Sequence, residues 1–99
     1  MGAGAIVFRK EMGSAHSEFQ RLMPRVARGT NYTFANDRFT LPQIRGYVEI
    51  ILAPEQERRL TAVLTIPYTR IEIHCHDMSD AEAQAFEKHF SFQFLSVGG

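Results

Sequence analysis

The stretch from Tyr68 to His76 constrains the fold most, because apolar and polar residues alternate along it. Ile71, Ile73 and Cys75 fall on every second position, with charged residues and histidines between them. Successive side chains of a strand point to opposite faces, so this pattern predicts a strand with one buried face and one polar face. Sheets that leave one face to water are typically antiparallel.

The remaining patterns predict two helices and further strands around this one. A strand over 5–12 is followed by a helix that begins near Ser14 or Ser17 and ends near Gly29, then by a hairpin over 31–41 and a strand over 47–52. A capping box, in which Ser79 and Glu82 each bond the other's backbone, opens a second helix that ends near His89. The residues expected to bury the two helices against the sheet are Phe19, Leu22, Met23, Val26, Phe86 and Phe90.

Residues 54–66 fit two interpretations. Pro54 followed by charged residues is typical of a helix start, and the helix would bury Leu60, Val63 and Leu64. The same residues also alternate as a strand, which their β-branched members and the stop at Pro67 favour. A strand gives the order β-α-β-β-β-β-α, a two-layer α+β fold with about five antiparallel strands and two helices on one face. A helix gives β-α-β-β-α-β-α, the ferredoxin-like order.

Composition narrows the functional classes. The 99 residues fit one domain, 1–99, and 44% of them are apolar, enough for a core. Eleven basic and eleven acidic residues cancel, which argues against a nucleic-acid partner. No apolar run is long enough to span a membrane, and the start lacks a secretory signal. With Cys75 as the only cysteine, we expect a cytoplasmic protein without disulfides.

His74 and His76 form the densest group of chemically active side chains. Two residues apart on a strand, they share a face, so both imidazoles could bind one metal ion, zinc being the natural candidate. Zinc needs at least one more protein ligand, for which the sequence offers Glu72, Asp77, His16 and His89. The alternative is a plain polar face. No nucleophile accompanies these histidines, and no cofactor motif is present, so an enzyme is not the favoured interpretation.

The open sheet face also predicts binding. Its mixed polar and apolar residues suit a partner protein, a second copy of the chain or a small ligand. A small interaction module, most simply a homodimer joined through this face or through the apolar tail Phe92–Val97, is the leading hypothesis. That tail could form an edge strand or dock in a groove. The residues expected to form the binding face are Tyr47, Arg59, Arg70 and Glu72.

The terminal pair Gly98-Gly99 resembles the tail of the ubiquitin-like sulfur carriers. In that family the last glycine becomes a thiocarboxylate, and a flexible glycine end can thread into the narrow channel of an activating enzyme. The resemblance covers only these two residues, and it implies a sulfur-carrier function as a further alternative.

Overall fold

The structure, a computed structural model, describes residues 4–98 and confirms an antiparallel α+β fold. Within these residues, a sheet of six strands is combined with two helices. The elements in chain order are β1 (Ile6–Met12), α1 (His16–Ala27), β2 (Thr33–Ala35), β3 (Arg38–Pro42), β4 (Tyr47–Leu52), β5 (Gln56–Arg59), β6 (Thr65–His76) and α2 (Asp80–Gly98).

The long strand β6 organises the sheet, whose order is β1-β6-β4-β3-β2 with β5 paired to the first part of β6. Every pairing is antiparallel. On β6, Ile71, Ile73 and Cys75 are buried while the residues between them are at least partly exposed, as the alternation predicts. All six residues expected to bury the helices against the sheet are buried. The helices therefore leave the polar face of the sheet open.

Residues 54–66 form neither a helix nor a single strand, so the ferredoxin-like order is not adopted. They contain β5 and a tight connection to β6, in which the Leu60 N–H donates to the Leu64 carbonyl oxygen at 2.8 Å. Pro67 does not end a strand but lies inside β6, opposite Glu57. Because β1 ends opposite Thr69, no strand among residues 4–98 pairs with this edge of β6 at Pro67, and a residue without an N–H is tolerated there.

A β-bulge separates β4 from β5. Leu52 pairs with Ile71 and Gln56 pairs with Tyr68, so three residues on one strand face two on the other. The extra residue shifts the alternation, because a slip of one position moves every following side chain to the opposite face. Even-numbered residues of β5 therefore share the open face with the odd-numbered residues of β4.

The bulge also fixes the start of α1. The Ala53 carbonyl lies 2.8 Å from Nε2 of His16, and the Glu55 carboxylate accepts a hydrogen bond from the His16 backbone N–H at 2.8 Å. Neither Ser14 nor Ser17 caps the helix; the N-cap is Ala15, whose side chain makes no capping bond. An acidic side chain from a distant segment supplies the acceptor that the helix end requires.

Helix α2 starts as predicted but continues well past His89. Ser79 and Glu82 exchange the two hydrogen bonds of the capping box, at 2.8 and 3.1 Å. The tail expected to be a strand or a docking segment is helical because Phe94 continues the core face, with its ring centroid 4.8 Å from that of Phe90 and 5.1 Å from that of Phe19. Of the terminal pair, Gly98 ends α2 and residue 99 lies outside the described residues. Within the described part of the chain, no helix is long and apolar enough to cross a membrane.

Candidate metal centre

Strand register brings three ligand-type side chains together on the open face. Glu49 of β4 lies directly opposite His74 of β6, and Tyr47 lies opposite His76. The metal-ligating atoms of Glu49, His74 and His76 all lie within 4.8 Å of one another. Their side chains are 18%, 24% and 26% exposed, so the group is half-sheltered but open to water. We call these three residues the triad.

Each carboxylate oxygen of Glu49 accepts a hydrogen bond. His76 donates from Nε2 to Glu49 Oε1 at 2.8 Å, and Arg38 donates from Nη1 to Glu49 Oε2 at 3.0 Å. Burial alone would raise the pKa of Glu49, but the hydrogen bond from His76 and the charge of Arg38 outweigh it, and the pKa is lowered. The ring of Tyr47 stacks on His76 with centroids 4.4 Å apart. The carboxylate is therefore charged at neutral pH and fixed in direction.

A second carboxylate, that of Glu72, forms a hydrogen bond with His74. Nε2 of His74 donates to Glu72 Oε1 at 2.8 Å, and Arg9 donates from Nε to Glu72 Oε2 at 3.2 Å. The hydrogen bond from His74, with the charge of Arg9, lowers the pKa of Glu72. Because the folded pKa values of Glu49 and Glu72 are both lowered, these contacts stabilise the fold above the ordinary carboxyl range. That stability is lost as the pH falls through the lowered values.

Two imidazoles and one carboxylate are a common donor set for zinc and other first-row transition metals. Ligating histidines usually donate their second ring N–H to a carboxylate, which orients the ring. Glu72 is placed to do this for His74. The arrangement can therefore hold a metal with three protein ligands, leaving the solvent side for water or another ligand.

Among the partners proposed from sequence, the structure brings only Glu72 to the histidines, as a hydrogen-bond partner. His16 and His89 belong to the helices on the covered face. Asp77 is exposed just past the end of β6, with a φ of 58°. The third member of the triad, Glu49, was missed because strand pairing is not visible in the sequence. Its alternation with Val48 and Ile50 was the available signal.

Cys75 lies between the two histidines but faces the other way. Its side chain is in the core, and burial raises the pKa of its thiol to about 11. A protonated thiol on the opposite face of the sheet cannot serve as a ligand for a metal at the triad. The site is therefore one of nitrogen and oxygen donors.

Two residues of the predicted binding face contact the triad: Tyr47 stacks on His76, and Glu72 is hydrogen-bonded to His74. Arg70 lies further along the same face, paired with Glu11 at 3.2 Å. Arg59 does not lie there. It pairs with Thr65, and the bulge turns it to the opposite face, so that Arg58 takes the place expected for it. Three of the four residues therefore share the open sheet face, and Arg58 replaces Arg59 on it beyond the bulge.

The turn before β4 supports the end of β6 that carries His76. Gly46 has a φ of 70°, and a Cβ atom built on it would overlap the His76 carbonyl oxygen. We expect Gly46→Ala to lower the free energy of unfolding by about 3 kcal/mol, from the left-handed backbone and the overlap together. Chemical denaturation measures this loss.

Gly29 is the matched control, because its φ is 81° but nothing lies within 4 Å of an added Cβ. Gly29→Ala should lower the free energy of unfolding by about 1 kcal/mol, the cost of the left-handed backbone alone. Equal losses for the two variants would show that the contact with His76 does not constrain the turn.

The fold and the triad together define a small antiparallel α+β domain with a two-histidine, one-carboxylate cluster on its open sheet face. Comparison with known protein families, with curated proteins and with solved structures gave no significant match.

Proposed function

We propose that the protein binds a divalent transition-metal ion, with zinc as the first candidate, through Glu49, His74 and His76. The observation that carries this proposal is the convergence of their ligand atoms within 4.8 Å. Strand register creates that convergence, since Glu49 and His74 face each other across β4 and β6. The proposal extends the pair identified from sequence by the third protein ligand that zinc needs.

The surroundings of the triad suit a metal. Arg38 binds one carboxylate oxygen of Glu49, and the other oxygen faces His76. Glu72 orients the ring of His74. A metal would replace the proton that His76 now shares with Glu49. Binding should therefore release protons and weaken on acidification, because protons compete for the imidazole nitrogens.

Calorimetric titration of zinc into the metal-free protein tests the proposal. We expect one zinc per chain, and about 100-fold weaker binding in Glu49→Gln, which loses the charged ligand. Glu57→Gln is the control, because Glu57 is exposed on β5 and its loss removes the same charge far from the triad. No binding by the native protein, or equal binding by both variants, would refute the proposal.

We propose that the protein belongs to the cytoplasm, because a reducing compartment suits a chain with a single, unpaired thiol. Cys75 is the only cysteine, and its buried thiol is protonated at physiological pH. Stability therefore depends on packing rather than on a disulfide.

Self-association through α2 is a second candidate, favoured by apolar residues on the side of this helix that faces solvent. Phe92 and Leu95 are 63% and 76% exposed. They belong to an exposed row with the 4-3-4-3 spacing of a coiled-coil seam. The row, here called the outer stripe, consists of Ala81, Ala85, Lys88, Phe92 and Leu95.

The outer stripe suits an antiparallel copy of itself. Its small residues lie in the first half of the helix and its large residues in the second half. Antiparallel pairing would therefore set Leu95 near Ala81 and Phe92 near Ala85 of the second copy, matching large to small. The two copies of Lys88 would meet at the centre of the seam, where their long side chains can extend to water. The sheet face, the other surface considered for association, is instead crossed by ion pairs such as Arg38–Glu49 and Arg9–Glu72.

Light scattering over a range of protein concentrations tests this second candidate. We expect a dimer that Leu95→Glu converts to monomer, because a short carboxylate would replace the apolar contact of Leu95 with Ala81 and would lose its hydration. Gln20→Glu, which adds the same charge on the exposed side of α1, should leave the dimer intact. A native protein that is monomeric at high micromolar concentration would rule out this interface.

A further inference from the structure

A cleft of about 600 Å³ opens on the sheet beside the triad. On the open face it is bordered by Arg9 and Glu11 of β1 and by Arg70 and Glu72 of β6, with Ile51 of β4 as an apolar side chain. Because Glu72 also holds His74, the cleft adjoins the metal centre without including any of its three ligands.

Both arginines of the cleft are anchored in the same way. Arg9 donates from Nε to Glu72 and Arg70 donates from Nε to Glu11, each at 3.2 Å. Within residues 4–98, the Nη groups of these two arginines make no hydrogen bond. A guanidinium fixed through Nε presents its remaining N–H donors as a fork, the geometry that binds a carboxylate or a phosphate.

The charges around the cleft do not cancel. Glu11 accepts hydrogen bonds from both Arg58, at 2.9 Å, and Arg70, so one carboxylate serves two guanidinium groups. Arg9 and Glu72 balance each other. Lys10, which also borders the cleft, is paired with Glu87. The charges of the open-face side chains that line the cleft cancel, but Arg58, which contacts Glu11 without lining the cleft, leaves this part of the face with one positive charge that favours an anion.

The register sets the spacing of the two arginines. Arg9 lies opposite Glu72 and Arg70 lies opposite Glu11, so the arginines are diagonal neighbours across β1 and β6. Diagonal positions in an antiparallel pair are about 7–8 Å apart, a span that one small molecule with two acidic groups can bridge. We infer that the cleft binds a small organic dianion, one acidic group on each arginine, with its carbon chain against Ile51. This inference does not depend on the metal.

Succinate, a four-carbon dicarboxylate, is the probe. Titrated into protein freed of metal by chelation and desalting, it should bind the native chain. Arg9→Gln and Arg70→Gln should each weaken binding about tenfold, as expected for loss of a charge-assisted pair. Arg21→Gln is the control, since Arg21 pairs with Glu18 on α1. Circular dichroism checks that every variant is folded.

The outcomes separate this inference from the metal proposal. Succinate binding that Arg9→Gln and Arg70→Gln each weaken about tenfold and that Arg21→Gln keeps supports the cleft. The zinc affinity of Arg70→Gln should be unchanged, because Arg70 pairs with Glu11 and not with Glu72. Equal binding by Arg70→Gln and Arg21→Gln, or no binding of succinate at millimolar concentration, overturns it whatever the zinc result. Inorganic phosphate should bind more weakly than succinate, because its charge lies on one group that cannot reach both arginines. Tighter binding of phosphate would contradict the assignment of a ligand with two separate acidic groups.

Discussion

Replacement of both His74 and His76 by alanine is expected to weaken zinc binding by at least about 1000-fold, because two of the three protein ligands are lost. Glu49 would remain, but a single carboxylate in contact with water does not hold zinc selectively. Competition against a fluorescent zinc chelator measures the change. The fold should tolerate the substitutions, since both imidazoles lie on the half-exposed face and not in the core.

His89→Ala is the control for this experiment. His89 lies on α2, where it contacts Arg28 and the Val26 carbonyl rather than the triad. Its removal should leave zinc affinity unchanged. If zinc binding survives in the double variant, or falls equally in the control, the metal is bound elsewhere.

Phe90→Ala is expected to lower the free energy of unfolding by about 3–5 kcal/mol, the usual loss for a large buried aromatic side chain. Phe90 is fully buried and its ring packs against those of Phe86 and Phe94. Truncation would leave a cavity between α2 and the sheet. Urea denaturation followed by circular dichroism measures the loss.

The neighbouring aromatic residue provides the comparison. Phe92 is 63% exposed on the same helix, so Phe92→Ala should cost less than about 1 kcal/mol. A large loss for Phe92 with a small one for Phe90 would mean that α2 is rotated from the position described above. It would also remove the outer stripe as a self-association surface.

The sequence was sufficient for the main layers of the fold because their signals are local. Alternation along β6 predicted which side chains enter the core, and helical spacing predicted the buried faces of both helices. The capping box at Ser79 and Glu82 needed only neighbouring residues, and it formed as expected.

The errors arose where one segment depends on another distant in sequence. Glu55 caps α1 from 39 residues away, which no local pattern shows. The bulge after Leu52 adds one residue and reverses the alternation, so Arg59 was assigned to the wrong face. The end of α2 was placed too early because Phe94 finds its partner, Phe19, on another helix.

The candidate site, too, could be predicted only where the signal was local. Alternation placed His74 and His76 on one face, but the third ligand depended on the pairing of β4 with β6. Glu49 lies 25 positions before His74 in the chain and directly opposite it in the sheet. Only the register could distinguish it from other acidic residues on the same face.

A crystal structure of the zinc-soaked protein, with anomalous data collected at the zinc edge, tests the central claim most directly. We expect one strong anomalous peak on the open sheet face, about 2.0–2.2 Å from a nitrogen of His74, a nitrogen of His76 and an oxygen of Glu49. A peak at other residues, or no peak while the three side chains stay as described above, would contradict the proposed metal site.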